Sequence, residues 1–325
     1  MRARWLCKLL AFILAMVGLT CAAVSAASGT TADTRALDLS HAPGGKQVPP
    51  IPGNSAQGPF YVALGASESL GIQPRPNNQG DMGDTTHGKY AHTGGPTKVG
   101  YANDITAATR SRWPHLRLVQ FGCSGITVVA AYEGGSTCHY SDGSQIATAA
   151  HFLRNHPGET DLITLDFGYN DIWPCLTDRT VNQQCVNDVM TTLHRDLRHA
   201  IADLETAAGN KTTIVGLKHN NPSLADWLQP EAGRQFANES AAVFQRLNST
   251  LGGIFRAAGV KVADVPPYWG IGSNRQANLA GYGLVPADVA EVCEASWVCS
   301  EGNIHPNAEG YRKIATAVLA ALHTK

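Results

Sequence analysis

The chain has 325 residues, of which 43% are hydrophobic and 16% are charged, and its formal net charge is −1. This length and composition suit one sizeable globular domain with a short appendage better than two domains. The nearly balanced charge argues against nucleic acid or an anionic membrane as the main partner.

The first segment has the pattern of an export signal. Three basic residues precede an apolar run at 9–19, and small residues then lead to Ala26. This pattern predicts a secretory signal peptide over residues 1–26. Its removal takes away three basic residues and no acidic ones, which changes the net charge from −1 to −4. We expect a secreted, extracellular protein without a stable membrane anchor, and a signal anchor or lipidation at Cys21 are the alternatives.

Two further segments are predicted to lack regular structure. Residues 27–57 are rich in Ala, Ser, Thr, Gly and Pro and predict a flexible linker. Residues 72–98 are polar and contain many Gly, Pro and Asn, which is typical of a long surface loop that borders a site. The predicted domain therefore spans 58–325.

The apolar patterns of this domain predict strands that alternate with helices. The predicted strands are 61–64, 116–121, 161–167, 212–217 and 260–265, and the predicted helices are 101–113, 143–155, 181–208, 231–258 and 308–322. Strands separated by helices form right-handed crossovers and a parallel sheet that is covered on both faces. The fold class is therefore α/β, a three-layer α/β/α sandwich with a mainly parallel sheet of about five strands.

Six cysteines remain after the predicted signal peptide is removed, an even number that suggests three disulfides in an exported protein. Fifteen pairings are possible, but the cysteines form three local couples, which predict the bonds Cys123–Cys138, Cys175–Cys185 and Cys293–Cys299. A zinc site is the competing interpretation, and neither a CxxC pair nor an HExxH motif supports it. No metal or nucleotide motif is found, so no cofactor is expected.

Small polar turns follow the predicted strands. Ser67 follows the first strand, a glycine-rich turn at 121–127 follows the second, and Asn170 follows the third. His305 precedes the last helix. Because the carboxyl ends of parallel strands lie at one edge of a sheet, these turns can converge and place a hydroxyl near an imidazole.

Each of these residues also has an ordinary structural interpretation. Ser67 alone is typical of a tight turn or a helix N-cap, and His305 alone is typical of a helix start. Ser69 and Ser124 are rival nucleophiles, but neither heads its turn as Ser67 does. The turn also lacks the second glycine of the Gly-x-Ser-x-Gly elbow.

Four such blocks in this order resemble the SGNH hydrolase superfamily, the GDSL-type esterases and lipases, in a secreted bacterial form. The resemblance covers residues 58–325. It implies that Ser67 is the nucleophile and His305 the base, and that Gly125 and Asn170 donate to the oxyanion hole.

The chain departs from the family pattern at two places. Ala66 stands where the first block usually has Asp, and Gly302 stands three residues before His305, where the last block usually has Asp. Either Glu301 reaches the ring, or a main-chain carbonyl such as that of Gly302 orients it. We favour the carbonyl, which fixes the tautomer but stabilises an imidazolium less.

The resemblance implies a cofactor-independent serine hydrolase that cleaves carboxylic esters as an esterase or lipase. Its expected partners are small-molecule, lipid or glycan esters, and we expect a monomer. A carbohydrate acetylesterase and an acyltransferase use the same kind of site and are the alternatives within the class. A non-catalytic glycan- or lipid-binding relative is the alternative from another class.

Overall fold

The structure is a computed structural model that describes residues 58–74, 81–82, 97–110, 113–136 and 138–323. All of these residues belong to one compact unit. The predicted signal peptide at 1–26, the predicted linker at 27–57 and most of the predicted loop at 72–98 lie outside the described residues.

A five-stranded sheet lies at the centre of the described fold. Its strands are β1 (Phe60–Gly65), β2 (Arg117–Gln120), β3 (Thr160–Asp166), β4 (Thr213–Leu217) and β5 (Lys261–Ala263). Their spatial order is β2-β1-β3-β4-β5, and every neighbouring pair is parallel. This confirms the predicted parallel sheet.

Helices connect and cover these strands. They are α1 (Ser67–Leu70), α2 (Tyr101–Ala108), α3 (Val128–Glu133), α4 (Gln145–Asn155), α5 (Tyr169–Ile172), α6 (Gln183–Thr192), α7 (Arg198–Ala208), α8 (Glu231–Ala257), α9 (Ala287–Ala295), α10 (Val298–Glu301) and α11 (Ala308–His323). Among the described residues no helix is both long and apolar enough to cross a membrane.

The sheet separates two hydrophobic cores. Along β1, Phe60, Val62 and Leu64 enter one core, which α4, α7 and α8 cover. Tyr61 and Ala63 point to the opposite face, into a core shared with α2, α9 and α11. Successive side chains of a strand point to opposite faces of the sheet, so a strand that is apolar at every position is buried on both faces. This is the case for β1. The three-layer α/β/α sandwich is thereby confirmed.

The first helix after the loop is shorter than predicted. It was expected to reach residue 113, and it ends at Ala108. The Thr109 hydroxyl donates to the carbonyl of Ile105 at 2.7 Å, and Trp113 precedes a proline, which disfavours a helical backbone at that residue. Both features favour the end of the helix.

The predicted helix at 181–208 contains an irregularity. It begins at Gln183, because the Asn182 side chain accepts from the Cys185 amide at 3.0 Å and so caps the first turn. A π-helical turn at Leu193–Leu197 separates α6 from α7. Periodicity alone does not show such a one-residue change of pitch.

Regular structure is present between residues 265 and 308, where no strand or helix was predicted. The strands Gln276–Leu279 and Gly283–Pro286 pair as an antiparallel hairpin, and α9 follows directly. Gly281 and Gly283 have φ of +82° and +75°, a conformation that glycine adopts readily. The glycines at this turn are the sequence feature from which the hairpin could have been predicted.

Candidate active site

Ser67 lies at the carboxyl end of β1 and opens the short helix α1. Gly65 precedes it with φ of +129°, and a Cβ there would lie 2.2 Å from the carbonyl oxygen of Asp166. Only glycine therefore lets the chain turn this closely against β3. Ser67 is 6% exposed, and its Oγ donates to Oε2 of Glu68 at 3.1 Å.

The neighbouring serine has a structural role. Ser69 is fully buried, and its Oγ donates to the carbonyl of Ala66 at 2.6 Å. A Cβ on Gly122 would lie 2.1 Å from this Oγ, so the turn after β2 packs directly on it. Its hydroxyl thus closes the turn that carries Ser67.

Hydrogen bonds join the Ser67 turn to two other predicted blocks. The Cys123 amide donates to Gly65 at 3.0 Å, and the Ala66 amide donates to Asp166 at 3.1 Å, both to main-chain carbonyls. The buried Gln145 adds two bonds to Gly65, accepting from its amide and donating to its carbonyl, each at 3.0 Å. The structure thus brings together the turns after β1, β2 and β3.

The His305 block is tied to the same region. Gln73, three residues after the end of α1, donates through Nε2 to the carbonyl of Pro306 at 3.0 Å. Its Oε1 accepts from Nε1 of Trp297 at 3.0 Å. The hydroxyl of Tyr311 in α11 donates to the carbonyl of Ile72 at 2.9 Å. The segment that leaves the serine turn therefore packs against the residues that carry the histidine.

The two expected oxyanion-hole residues lie on adjoining turns. Gly125 is exposed with φ of +75°, and a Cβ there would meet nothing within 4 Å, so the backbone conformation is what favours glycine. Asn170 lies in α5, and its Nδ2 donates to the carbonyl of Ile126 at 3.1 Å. A carboxamide nitrogen has two protons, so the second is available to a bound oxygen.

Asp171 fixes the position of these two turns. Both of its carboxylate oxygens lie within hydrogen-bond distance of the Val128 amide, at 3.0 and 3.1 Å. A carboxylate at the first residue of α3 also interacts favourably with the helix dipole. Burial raises the pKa of Asp171 to about 6, although the hydrogen bond from the Val128 amide acts to lower it. Asp171 therefore has a structural role in this structure.

The ring of His305 is oriented by Asn303. His305 is 7% exposed, and its Nδ1 lies 2.8 Å from Oδ1 of Asn303. The same Oδ1 accepts from the His305 main-chain amide at 3.0 Å, which identifies it as the oxygen. Nδ1 must therefore donate, and in the neutral ring Nε2 is left as the proton acceptor.

This geometry corrects the expected ring partner. Glu301 and the carbonyl of Gly302 were the two candidates, and the acceptor at Nδ1 is the side chain of Asn303. Glu301 is exposed at the end of α10, and Gly302 follows it with φ of +63°. An Asn that accepts from the amide two residues ahead forms an Asx turn, which brings its oxygen to the ring of that residue.

The three predicted disulfides are present as Cys123–Cys138, Cys175–Cys185 and Cys293–Cys299. Each lies near a site residue: Cys123 is two residues before Gly125, and Cys175 is five after Asn170. Cys299 is six residues before His305. Each bond therefore braces the chain locally, beside one residue of the proposed site.

A buried group of titratable residues adjoins Ser67. This group was not predicted from the sequence. It comprises Glu68, Asp166 at the end of β3, and His219 after β4. Burial raises the pKa of Glu68 to about 7, and the Asp166 charge adds to this while His219 opposes it. Burial raises the pKa of Asp166 to about 7 and lowers that of His219.

A groove of about 450 Å³ opens beside Asn170. Most of the side chains that line it are polar: Thr127, Asn170, Asp171, Asn182, Gln184, Asp188 and Thr192, with Val129, Pro174, Cys185 and Val189 as the apolar remainder. Such a wall offers hydrogen bonds to a polar ligand, although most of its accessible surface is apolar.

A comparison with known protein families finds one family that matches most of this chain. The model of the GDSL-like Lipase/Acylhydrolase family matches residues 83–313. Since this range is most of the chain, the protein belongs to that family. The matched range contains Gly125, Asn170 and His305, and it begins after Ser67. No curated protein sequence matches the chain significantly.

Several solved structures are similar to this chain at low sequence identity. A GDSL-like protein from Parabacteroides merdae is 14% identical with a TM-score of 0.50, and the match covers 82% of this chain and 97% of that one. An extracellular lipase from Streptomyces rimosus is 14% identical with a TM-score of 0.48, covering 81% and 99%. An acetyl xylan esterase variant from Geobacillus stearothermophilus is 15% identical with a TM-score of 0.46, covering 82% and 95%.

Proposed function

We propose that this protein is a secreted serine hydrolase that cleaves carboxylic esters, with Ser67 as nucleophile and His305 as base. The observation that carries the proposal is the orientation of His305. Asn303 holds Nδ1 as a donor, so Nε2 is the proton acceptor, on a block that Gln73 ties to the Ser67 turn. Family membership supports ester hydrolysis in general, and the three disulfides support secretion.

The reaction begins when Nε2 of His305 takes the proton of Ser67 while Oγ attacks the ester carbonyl carbon. The carbonyl oxygen becomes negative, and it is stabilised by the amide of Gly125, the free proton of Asn170 Nδ2 and the amide of Ser67. Deleting one such donor typically costs about 10²–10³-fold in rate.

The second half of the reaction releases the products. The C–O bond to the alcohol breaks, and His305 returns the proton to the leaving alcohol. Water then loses a proton to His305 and attacks the acyl carbon. The bond between that carbon and Oγ of Ser67 breaks, His305 returns the proton to Oγ, and the acid is released. The residues named here complete this cycle without a cofactor.

The test is hydrolysis of a p-nitrophenyl ester series from acetate to palmitate by the wild type and by Ser67→Ala. We expect Ser67→Ala to lose about 10³-fold or more in kcat, because no other hydroxyl opens α1. Ser124→Ala is the matched control, since it removes the rival hydroxyl from the turn after β2. Full hydrolysis by Ser67→Ala, or a comparable loss in Ser124→Ala, would contradict the assignment.

The hydrogen-bonding side chains beside Asn170 favour one narrower candidate, hydrolysis of acyl groups carried by a hydroxyl-rich alcohol such as a sugar. Gln184, Asp188 and Thr192 offer hydrogen bonds to the hydroxyl groups of such an alcohol. The apolar part of the lining can pack against the carbon atoms of a sugar ring.

Acetylated oligosaccharides test the narrower candidate directly. Acetate release from them should exceed that from p-nitrophenyl acetate at equal concentration, and Gln184→Ala with Thr192→Ala should reduce this advantage while leaving p-nitrophenyl acetate hydrolysis unchanged. Acetate release no faster than from p-nitrophenyl acetate, or an advantage that the double variant keeps in full, would refute it.

A further inference from the structure

The side chain that Ser67 contacts in this structure is a carboxyl group, that of Glu68. Oγ of Ser67 and Oε2 of Glu68 are 3.1 Å apart, and Glu68 is 8% exposed. A carboxylate can only accept a hydrogen bond, so an ionised Glu68 holds the serine proton. That proton is then directed to Glu68 and away from Nε2 of His305.

A protonated Glu68 reverses this bond at the same separation. The carboxylic acid donates to Oγ of Ser67, and the serine proton is left free for His305. Oγ keeps a lone pair for attack on the carbonyl carbon. The two protonation states of Glu68 therefore correspond to two orientations of the same hydroxyl.

The surroundings of Glu68 come from four elements and favour a proton on this group. Asp166 stands at the end of β3 and is 2% exposed, and its Oδ2 has no hydrogen-bond partner among the described residues. His219 follows β4, Tyr169 lies in α5 and Tyr101 begins α2, and both tyrosines interact electrostatically with Glu68. The Asp166 charge raises the pKa of Glu68, so these two buried carboxyl groups do not both ionise readily.

The surroundings of His219 favour its neutral form. Its Nε2 lies 2.9 Å from the carbonyl of Phe167, which can only accept, so Nε2 carries a proton. Its Nδ1 faces Oδ1 of Asp166 at 3.6 Å. Burial lowers the pKa of His219, so the ring adds little positive charge beside Glu68.

We propose that Glu68 is a positioning residue that presents the Ser67 hydroxyl to His305 when it is protonated and withdraws it when it is ionised. This inference rests on the proposed function. Since burial raises the pKa of Glu68 to about 7, kcat/KM should fall as the pH rises above neutrality. The proton of Glu68 is not transferred in the reaction; the serine proton alone passes to His305 and on to the alcohol.

The test compares the pH profile of kcat/KM from pH 5 to 9.5 for the wild type and Glu68→Gln, with the Ser67→Ala rate subtracted. Gln keeps the shape and always offers a donor to Oγ, so it mimics the protonated acid. We expect the wild type to lose about tenfold per pH unit on the alkaline limb, and Glu68→Gln to stay within about twofold there. Glu205→Gln, an exposed glutamate in α7, is the control and should follow the wild type.

The outcomes separate this inference from the proposed function. A wild type that hydrolyses no ester at any pH overturns the proposed function. Two results would overturn only the role of Glu68. One is an active wild type whose kcat/KM falls at alkaline pH in the same way as that of Glu68→Gln. The other is a folded Glu68→Gln that is inactive at every pH. If Glu68→Gln does not fold, Asp166→Asn decides: loss of its charge should move the limb to lower pH, and an unmoved limb overturns the inference.

Discussion

The His305 region and the Glu68 region differ in the chemical groups that they place near the site. On one side, His305 is oriented by the neutral amide of Asn303 at 2.8 Å. On the other, the Ser67 hydroxyl contacts Glu68, which is buried with Asp166 and His219. In a Ser-His-Asp triad the carboxylate supports the histidine. Here the carboxyl groups lie behind the serine.

This difference shows that orientation and charge stabilisation are separable tasks. The Asn303 oxygen fixes the tautomer and the plane of the ring through two bonds, to Nδ1 and to the His305 amide. It carries no full charge and so stabilises an imidazolium less than a carboxylate would. Glu68 and Asp166 cannot take over that task from behind the serine, and their burial instead favours their neutral forms.

The largest expected effect comes from removing His305, the proposed base. His305→Ala should lower kcat by about 10³-fold or more, because Ser67 then has no imidazole to take its proton. The measurement is steady-state hydrolysis of p-nitrophenyl acetate at pH 7. His323→Ala, at the end of α11, is the matched control. Equal activity in both variants would remove His305 from the mechanism.

A smaller effect is expected from Asn303, and it sharpens the contrast with a triad. Asn303→Ala should lower kcat roughly ten- to hundredfold with little change in KM, because the ring loses its orienting bond. Asn303→Asp should keep the activity and move the acidic limb of the kcat/KM profile to higher pH, because a carboxylate favours the protonated ring. An unchanged limb in Asn303→Asp would show that residue 303 does not face the ring.

The smallest expected effect is the contribution of Glu68 to the pH dependence of the Tm. The folded-state pKa of Glu68 is raised to about 7 from an ordinary value of 4.5, so its contribution to stability is fully present below about pH 4.5 and is lost as the pH rises through 7. Between pH 5 and 8 the Tm of the wild type should therefore fall more, or rise less, than that of Glu68→Gln. Thermal unfolding followed by circular dichroism measures this. Parallel Tm curves would mean that the carboxyl group is not perturbed by folding.

Much of the fold could be predicted because its determinants are local. The strand at 60–65 is apolar on both faces, which only a sheet covered on both sides explains. The cysteines pair with their nearest neighbours in sequence, so their spacing was sufficient. The π turn at Leu193–Leu197 was missed because a change of pitch leaves the apolar pattern nearly intact.

The site was less predictable, because it depends on side-chain contacts across the fold. Asn303 could have been found, since an Asn two residues before a histidine is a recognisable Asx-turn signal. Glu68 was visible beside Ser67, but its meaning comes from Asp166 and His219, about 100 and 150 residues away in the chain. Gln145 is similar: nothing in its helix indicates that it bonds the main chain of Gly65.

The most direct test of the central claim is labelling with a fluorophosphonate, followed by mass spectrometry of the modified peptide. We predict one label on Ser67 in the wild type, no label in Ser67→Ala, and much slower labelling in His305→Ala, because the reagent reacts only with an activated serine. Labelling at Ser69 or Ser124, or no labelling of a wild type that hydrolyses esters, would contradict the assignment of Ser67 as the nucleophile.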